Sequence, residues 1–272
     1  MSSFGNDIKV IINNVTVSYN DEGPENAPVI IFIHGFPFNK SMWNLQVKAL
    51  KDKYRVITYD VRGHGKSDAG NDVFTIDLFV KDLINLMDAL KIDNAILCGL
   101  SMGGYIALNA MGKYPERFNA LILCDTQCIA DTPEAKEKRI KAIESIRKTG
   151  VEKYADESIK NLFASGSFIT KQKEIAAVRE MILKTSEQSL CNTLLALSHR
   201  KETCNILPGI KIPALIMVGN EDKITPPASA RFMNENIKDS IMKILEYAGH
   251  LSNLESPYEF NVHLKRFIAS IY

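Results

Sequence analysis

The stretch "NAILCGLSMGGYIALNAM", residues 94–111, decides the fold because its secondary-structure signal changes at a cluster of glycines. Its apolar start, 95–99, predicts a strand buried on both faces of a sheet, and its remainder predicts a helix. Between the two lie Gly99, Ser101 and Gly103 in the pattern G-x-S-x-G, which gains specificity when it follows a strand and opens a helix. The segment therefore predicts a strand, a sharp turn that carries a serine, and a helix.

A serine on such a turn needs particular neighbours. We expect its backbone to be strained, and the flanking positions to lack a Cβ because strand and helix come very close there. Gly99 and Gly103 meet this requirement, and Gly104 predicts close packing of the helix. The turn raises the Ser101 hydroxyl above the sheet at a helix N-terminus, where N–H groups and the helix dipole favour a developing anion. Ser101 is therefore the predicted nucleophile.

Short apolar runs without alternation recur along the chain and predict further buried strands. These runs, including the one already described, are residues 29–35, 54–60, 95–99, 120–125 and 214–222. Helical stretches such as 76–90 and 102–114 separate them, and a hairpin turning at Asn13-Asn14 precedes them. Strands that alternate with helices predict an α/β fold with a mostly parallel, doubly wound sheet.

Residues 126–211 break this alternation because they contain no clear strand. A helix is predicted from Pro133 to a stop at Gly150, and more helical sequence follows. The interval is longer than a crossover needs, and open α/β sheets bind ligands beyond the carboxyl ends of their strands. We therefore expect a core formed by 1–125 and 212–272, and a helical cap formed by 126–211.

A serine nucleophile needs an adjacent base, and in such a sheet the serine, the acid and the histidine follow in that order. His250 comes after a strand end and opens a loop, from which an imidazole can reach over the sheet, whereas His199 and His263 are expected on solvated helix faces. The acid should end a strand before His250. We prefer Asp222 to Glu221 because the extra residue leaves room for a turn, and a carboxylate there would orient the imidazole.

An oxyanion hole needs two N–H donors. Met102, directly after the nucleophile, supplies one, and the loop "HGFPFN" makes Phe36 the candidate for the other. Phe38, Trp43 and Tyr105 are predicted substrate-pocket residues, although each fits a plain core position equally well. The same two alternatives apply to the side chains of Phe36 and Met102.

Two further histidine-containing motifs are interpreted as structural. His34 precedes the serine turn and is expected to make a structural hydrogen bond. "YDVRGHGKSD", residues 59–68, predicts a tight turn in which Asp60 and Arg62 tie loops together.

Composition narrows the function classes. The chain has 272 residues, a charged fraction of 24% and a net charge of +1, so no basic stripe predicts nucleic-acid binding. No apolar run is long enough to span a membrane, and the N-terminal sequence has no secretory signal, which predicts a cytoplasmic protein. We expect a monomer or a small homo-oligomer.

The cysteines predict neither a disulfide framework nor a zinc site, because the chain has five of them and no C-x-x-C. Cys98 and Cys124 lie in apolar runs and are expected to be buried thiols. No metal and no cofactor is expected.

Five motifs together resemble one family. "HGFP", "YDVRGHGKS", "GLSMGG", "VGNEDKITP" and "AGHLSNLE" occur in the family's order and cover nearly the whole chain. The chain resembles an α/β-hydrolase fold enzyme of the capped esterase, lactonase and cofactor-free haloperoxidase type. The resemblance implies an α/β-hydrolase sheet whose helical cap selects substrates. Dehalogenases and epoxide hydrolases of the family have Asp at the turn, so Ser101 favours acyl-serine chemistry.

The sequence thus predicts a serine hydrolase that cleaves small carboxylic esters or lactones. The same triad could instead run perhydrolysis or hydrolyse a C–C bond beside a carbonyl. A third alternative is a signalling protein that binds a ligand and turns over slowly.

Overall fold

A computed structural model describes residues 5–272, and these residues form one sheet of eight strands. The strands are β1 (Gly5–Ile12), β2 (Val15–Glu22), β3 (Val29–Ile33), β4 (Arg55–Tyr59), β5 (Ala95–Leu100), β6 (Phe118–Cys124), β7 (Ala214–Gly219) and β8 (Ile241–Leu245). Their spatial order is β1-β2-β4-β3-β5-β6-β7-β8. β1, β2 and β4 pair antiparallel, and every pair from β4 to β8 is parallel. The predicted α/β fold with a mostly parallel sheet is confirmed.

Helices cover both faces of the sheet. They are α1 (Asn44–Leu50), α2 (Ile76–Ala89), α3 (Met102–Lys113), α4 (Pro133–Thr149), α5 (Val151–Leu162), α6 (Ser167–Thr170), α7 (Gln172–Leu183), α8 (Glu187–Ser198), α9 (Pro227–Asn236), α10 (Ser252–Glu255) and α11 (Pro257–Ala269). Successive residues of a strand point to opposite faces, and Ile31 packs in the cluster with α2, α3 and α9, whereas Phe32 packs with α1 and α11. The sheet is therefore doubly wound, as predicted.

The hairpin between β1 and β2 turns at Asn13 and Asn14, as predicted. Both residues have positive φ, 46° and 60°. This conformation is typical of a type I′ turn, whose twist matches that of the strands, and asparagine tolerates it better than most residues do.

The register of the parallel strands aligns their carboxyl ends. Leu100 at the end of β5 pairs with Cys124 at the end of β6, and Gly219 at the end of β7 pairs with Leu245 at the end of β8. The residues that follow these ends, among them Ser101, therefore come together at one edge of the sheet, although they are distant in sequence.

The interval 126–211 between β6 and β7 contains helices α4–α8 and no strand. The helix predicted from Pro133 ends at Gly150, whose φ of 83° suits a glycine that terminates a helix. Of its apolar face, Ile143 and Ile146 are buried, whereas Ile140 is 40% exposed. The division into core and cap stays a prediction, and residues 1–4 of the predicted core lie outside the described residues.

The prediction for the cysteines was partly wrong. Cys98 and Cys124 are buried thiols, as expected, but Cys128 and Cys204 form a disulfide. The two are 76 residues apart in sequence. They meet where the segment before β7 returns to the segment after β6, and the N–H of Thr203 donates to the carbonyl of Cys128 at 2.9 Å. Sequence spacing carries no signal for such a contact.

Among residues 5–272, no helix is both long and apolar enough to cross a membrane. The same residues contain no cluster of His, Cys, Asp and Glu side chains that could hold a metal ion.

Candidate active site

The serine turn has the strained geometry that its sequence predicts. Ser101 adopts φ 52° and ψ −114°, a conformation that L-residues rarely occupy. A Cβ at Gly99 would collide with the carbonyl oxygen of Gly103, and a Cβ at Gly103 with that of Ile33. Gly104 likewise packs against the side chain of Thr126. The glycines are therefore required because backbones and a neighbouring side chain approach too closely for a larger residue.

Asp222 and His250, predicted as acid and base, lie within hydrogen-bond distance. His250 Nδ1 is 2.9 Å from Asp222 Oδ2, and both residues are buried. The carboxylate also accepts the backbone N–H groups of Ile224 and Thr225, at 2.8 and 3.0 Å, and the Thr225 hydroxyl at 2.7 Å. Burial alone would raise the pKa of Asp222, but the charge of His250 and these hydrogen bonds hold it below its usual range.

The rejected alternative, Glu221, has a different role. Its carboxylate accepts the backbone N–H of Ser165 at 3.1 Å. Asp222 is therefore the residue that the loop directs at the imidazole.

Hydrogen bonds of both the ring and the backbone N–H position His250. Its N–H donates to the carbonyl of Leu162 at the end of α5, at 2.9 Å. Burial lowers the pKa of the imidazole, but the Asp222 carboxylate outweighs this effect and leaves the pKa raised. With the Nδ1 proton directed at Asp222, Nε2 remains as the proton acceptor.

The predicted oxyanion donors flank the serine. Met102 is the first residue of α3, so its N–H has no partner within the helix. The loop that carries Phe36 lies against the serine turn, because a Cβ at Gly35 would be 3.3 Å from the Ser101 Cβ. The peptide bond between Phe36 and Pro37 is cis.

Ser101 and His250 line one cavity of about 510 Å³. Phe36 and Tyr105 belong to its wall, and so do side chains of the helical interval. Those are Gln127, Asp131, Ala135, Lys138, Arg139, Ala142, Tyr154, Ser158, Asn161, Leu162, Leu194 and Leu197. A larger cavity of about 710 Å³ contains none of Ser101, Asp222 and His250 in its wall.

Phe38 and Trp43 were wrong as pocket residues. They are 1% and 0% exposed and pack in the core on the face of the sheet that α1 and α11 cover. The Trp43 ring lies between those of Phe32 and Phe260, with centroid distances of 4.8 and 6.2 Å. Closeness in sequence to the "HGFP" loop did not reveal which way these side chains point. Met102 is also fully buried, so only its backbone is available to the site.

Sequence reasoning missed two buried carboxylates beside the triad loops. Asp125, directly after β6, accepts the N–H of Gly219 at 2.9 Å and the Ser252 hydroxyl at 2.5 Å. It thereby joins the loop that carries Asp222 to the loop that carries His250. Burial, together with the nearby charge of Asp222, raises its pKa. The available signal was an aspartate at the end of a buried strand.

Glu255 is the second missed carboxylate. One oxygen accepts the N–H of Gly249 at 2.8 Å. The other accepts the N–H of Ala164 and the hydroxyl of Ser167, at 2.7 and 2.6 Å. Burial raises its pKa despite these donors. The glutamate of "AGHLSNLE" was visible in the motif, but its partners in the helical interval were not.

The residues interpreted as structural have that role. His34 accepts the Val61 N–H through Nε2 at 2.9 Å. Asp60 binds the buried Lys40 ammonium at 2.7 Å, and Arg62 pairs with Asp82 at 2.8 Å. His199 is exposed, as expected.

Comparison with known proteins agrees with this geometry. Residues 28–150 match a family model described as the alpha/beta hydrolase fold. The chain is 33% identical over 258 residues to "3-oxoadipate enol-lactonase 1" of Acinetobacter baylyi, with 94% of each protein covered. The chain belongs to the α/β-hydrolase fold family. Within this family it is of the esterase and lactonase type, and the prediction of a carboxylic ester hydrolase is confirmed.

Solved structures of this α/β-hydrolase family place the chain among similar enzymes. A thermophilic esterase from Thermogutta terrifontis has a TM-score of 0.91 and 32% identity, with 97% of this chain and 98% of that chain covered. The enol-lactonase from Burkholderia xenovorans LB400 has a TM-score of 0.90 and 30% identity, with 96% and 100% covered.

Proposed function

We propose that the chain hydrolyses small carboxylic esters or lactones through an acyl-serine intermediate, with Ser101, His250 and Asp222 as its catalytic triad. One observation carries the proposal. Ser101 and His250 line the same cavity, and Nδ1 of the His250 ring lies 2.9 Å from the Asp222 carboxylate. The similarity to enzymes named esterase and enol-lactonase supports the same substrate class.

The proposed reaction has two halves. In the first, Ser101 Oγ bonds to the carbonyl carbon while its proton passes to His250 Nε2, and the carbonyl electrons move onto oxygen. The N–H groups of Phe36 and Met102 stabilise that oxyanion. The C–O bond to the alcohol then breaks as the alcohol oxygen takes the proton from His250.

In the second half, water attacks the acyl-serine with His250 as its base. The acid product leaves, and Ser101 regains its proton. Asp222 stays ionised throughout, because its pKa is held low, and its negative charge stabilises the imidazolium. The residues 126–211 would act as the substrate-selecting cap in this scheme.

The decisive experiment is a panel of aryl esters of increasing chain length together with simple lactones. The wild type should turn over at least one of them well above 1 per second, within the usual range of enzymes. Ser101→Ala is the control and should abolish turnover. Turnover far below 1 per second on every compound would favour the slow ligand-binding protein.

Two additional assays address the enzymatic alternatives. Peroxide with a short carboxylic acid tests perhydrolysis, and a vinylogous diketone tests hydrolysis of a C–C bond. Either activity in excess of ester and lactone hydrolysis would overturn the proposed substrate class.

A cytoplasmic location remains a proposal, and the Cys128–Cys204 disulfide weighs against it, because reducing compartments keep thiols reduced. Alkylation of the protein in denaturant directly at cell lysis, followed by a count of the alkylated cysteines by mass spectrometry, decides between the two. Five alkylated cysteines fit the cytoplasm, and three fit an oxidising compartment.

A further inference from the structure

The charges on the wall of the candidate cavity are not balanced. Lys138, Arg139 and Lys223 all contribute to the wall, and Asp131 is its only carboxylate among the described residues. The whole chain has a net charge of only +1, so this positive charge is local.

The Asp131 carboxylate is already shared by two guanidinium groups. Arg139 Nε and Arg200 Nη2 each donate to it, the latter at 2.9 Å. One negative charge therefore faces two positive ones, which leaves an excess positive charge at a site where Asp131 and Arg200 are buried.

Arg200 connects this excess charge to the cavity. Its guanidinium lies over the Tyr105 ring, 4.1 Å from the centroid, and Tyr105 is part of the cavity wall. The buried Nε of Arg200 has no hydrogen-bond partner within residues 5–272. Burial raises the pKa of Tyr105 above its already high ordinary value, so the phenol is a hydrogen-bond donor near neutral pH.

The two lysines approach the cavity from different elements. Lys138 lies on α4, and Lys223 directly follows Asp222. Neither forms an ion pair with a carboxylate in the described part of the chain. Both are exposed, so they lie where the wall meets solvent.

We propose that this cavity binds a carboxylate group, with Lys138, Arg139 and Lys223 as its counter-charges, and so selects esters or lactones that carry a free carboxylate. The selection of such substrates rests on the proposed hydrolase function, whereas the binding of a carboxylate does not. Charge-assisted hydrogen bonds from these cations stabilise the anion. Because the lysines are exposed, salt screens a large part of the attraction.

Matched ester pairs test the selection. On the acyl side, ethyl hydrogen glutarate is compared with ethyl 5-methylhexanoate, in which an isopropyl group replaces the carboxylate. On the alcohol side, 4-acetoxybutanoate is compared with 4-methylpentyl acetate. At low salt we expect kcat/KM to favour the anion at least about tenfold in one pair, and that pair shows which side of the ester carries the charge. The preference should shrink as salt is raised from about 0.01 to 1 M, which shortens the Debye length from about 30 to 3 Å.

Lysine variants assign the effect to the cavity. Lys138→Gln and Lys223→Gln should each lower the ratio of anionic to neutral kcat/KM several-fold, and the double variant should lower it further. Lys136→Gln is the matched control, since Lys136 is an exposed lysine of the same helix that is absent from the cavity wall. A preference for the neutral ester in both pairs, or a ratio that the double variant leaves unchanged, would overturn the proposal.

Calorimetric titration with glutarate separates this inference from the proposed function. If the wild type hydrolyses none of the four esters and none of the aryl esters and lactones, the hydrolase proposal fails, but glutarate should still bind and should lose affinity in the lysine double variant. An absence of glutarate binding at low salt would overturn the carboxylate site itself.

Discussion

Two parts of the helical interval differ in how they meet the sheet. Residues 162–167, from the last residue of α5 to the first of α6, are mostly buried and tied to the His250 loop. Leu162 accepts the His250 N–H, while Ala164 and Ser167 donate to Glu255. Helix α4, by contrast, is mostly exposed and charged, and only Ile143 and Ile146 of its side chains are buried.

This difference indicates that one insertion serves two purposes. Residues 162–167 belong with the proposed catalytic machinery, because they fix the backbone of its base. Helix α4 lies over the cavity and contributes Lys138 and Arg139 to its wall, so it is suited to substrate selection. An exchange of the interval with that of a relative should therefore keep residues 162–167 if it is to preserve the chemistry.

The largest expected effect is on the proposed nucleophile and base. Ser101→Ala and His250→Ala should each lower kcat on the order of a millionfold, and the double variant should lose hardly more, because a triad acts as a unit. Steady-state kinetics of the two single variants and the double variant check this. Losses that add in free energy would contradict a triad.

Substitution of the proposed acid, Asp222, should lower kcat less, and the same measurement distinguishes Asp222 from its neighbour Glu221. Asp222→Asn should lower kcat about ten-thousandfold, as in other triads that lose the correct tautomer. Glu221→Gln, which alters only a contact to Ser165, should stay within a few-fold of the wild type. The reverse order of losses would reassign the acid.

The pH dependence of kcat/KM, in the wild type and in Asp222→Asn, has an expected direction. His250 must be neutral to accept a proton, and Asp222 raises its pKa against the effect of burial. Wild-type kcat/KM should therefore fall as the pH drops through a midpoint above about 6.5, the ordinary value for histidine. The residual activity of Asp222→Asn should have a lower midpoint.

The next prediction tests the difference between residues 162–167 and α4 by the free energy of unfolding. Glu255→Ala removes the acceptor for Gly249, Ala164 and Ser167, and each buried donor left unsatisfied costs about 1–3 kcal/mol. We expect a loss of at least about 3 kcal/mol in the free energy of unfolding, together with a fall in kcat. Lys136→Ala on exposed α4 should stay within about 0.5 kcal/mol. Denaturant unfolding of both variants is the measurement, and equal losses would remove the distinction between the two regions.

The smallest effect concerns Asp125 and depends on pH. Its pKa is raised in the folded protein, so folding is favoured while its proton is bound, below about pH 3.9, the value of an unperturbed aspartate. That contribution is lost as the pH rises through the folded-state pKa. The Asp125→Asn variant cannot ionise at this position, so it should not lose stability as the pH rises. The melting temperature of the variant relative to the wild type should therefore rise from about pH 4 upwards, and a constant difference would contradict the raised pKa.

The sequence determined the features that are encoded locally. Strand and helix periodicity predicted the mostly parallel sheet, the helical interval 126–211 and the hairpin at Asn13-Asn14. The glycines around Ser101 predicted a strained turn, because only residues without a Cβ fit where two backbones meet. Chain order, together with positions just after predicted strand ends, singled out Asp222 and His250, which the structure brings to 2.9 Å, although their catalytic roles remain predictions.

Tertiary structure alone decided the features that depend on side-chain direction and on contacts between distant segments. Phe38 and Trp43 point into the core, a choice that periodicity leaves open in a loop and in a 3-10 helix as short as Lys40–Trp43. Asp125 and Glu255 bind groups from segments far away in the chain, and Cys128 meets Cys204 across 76 residues of sequence. The positive cavity wall likewise combines charges from separate segments. Local sequence fixes backbone conformation over a few residues, whereas these arrangements exist only once the sheet order has brought distant segments together.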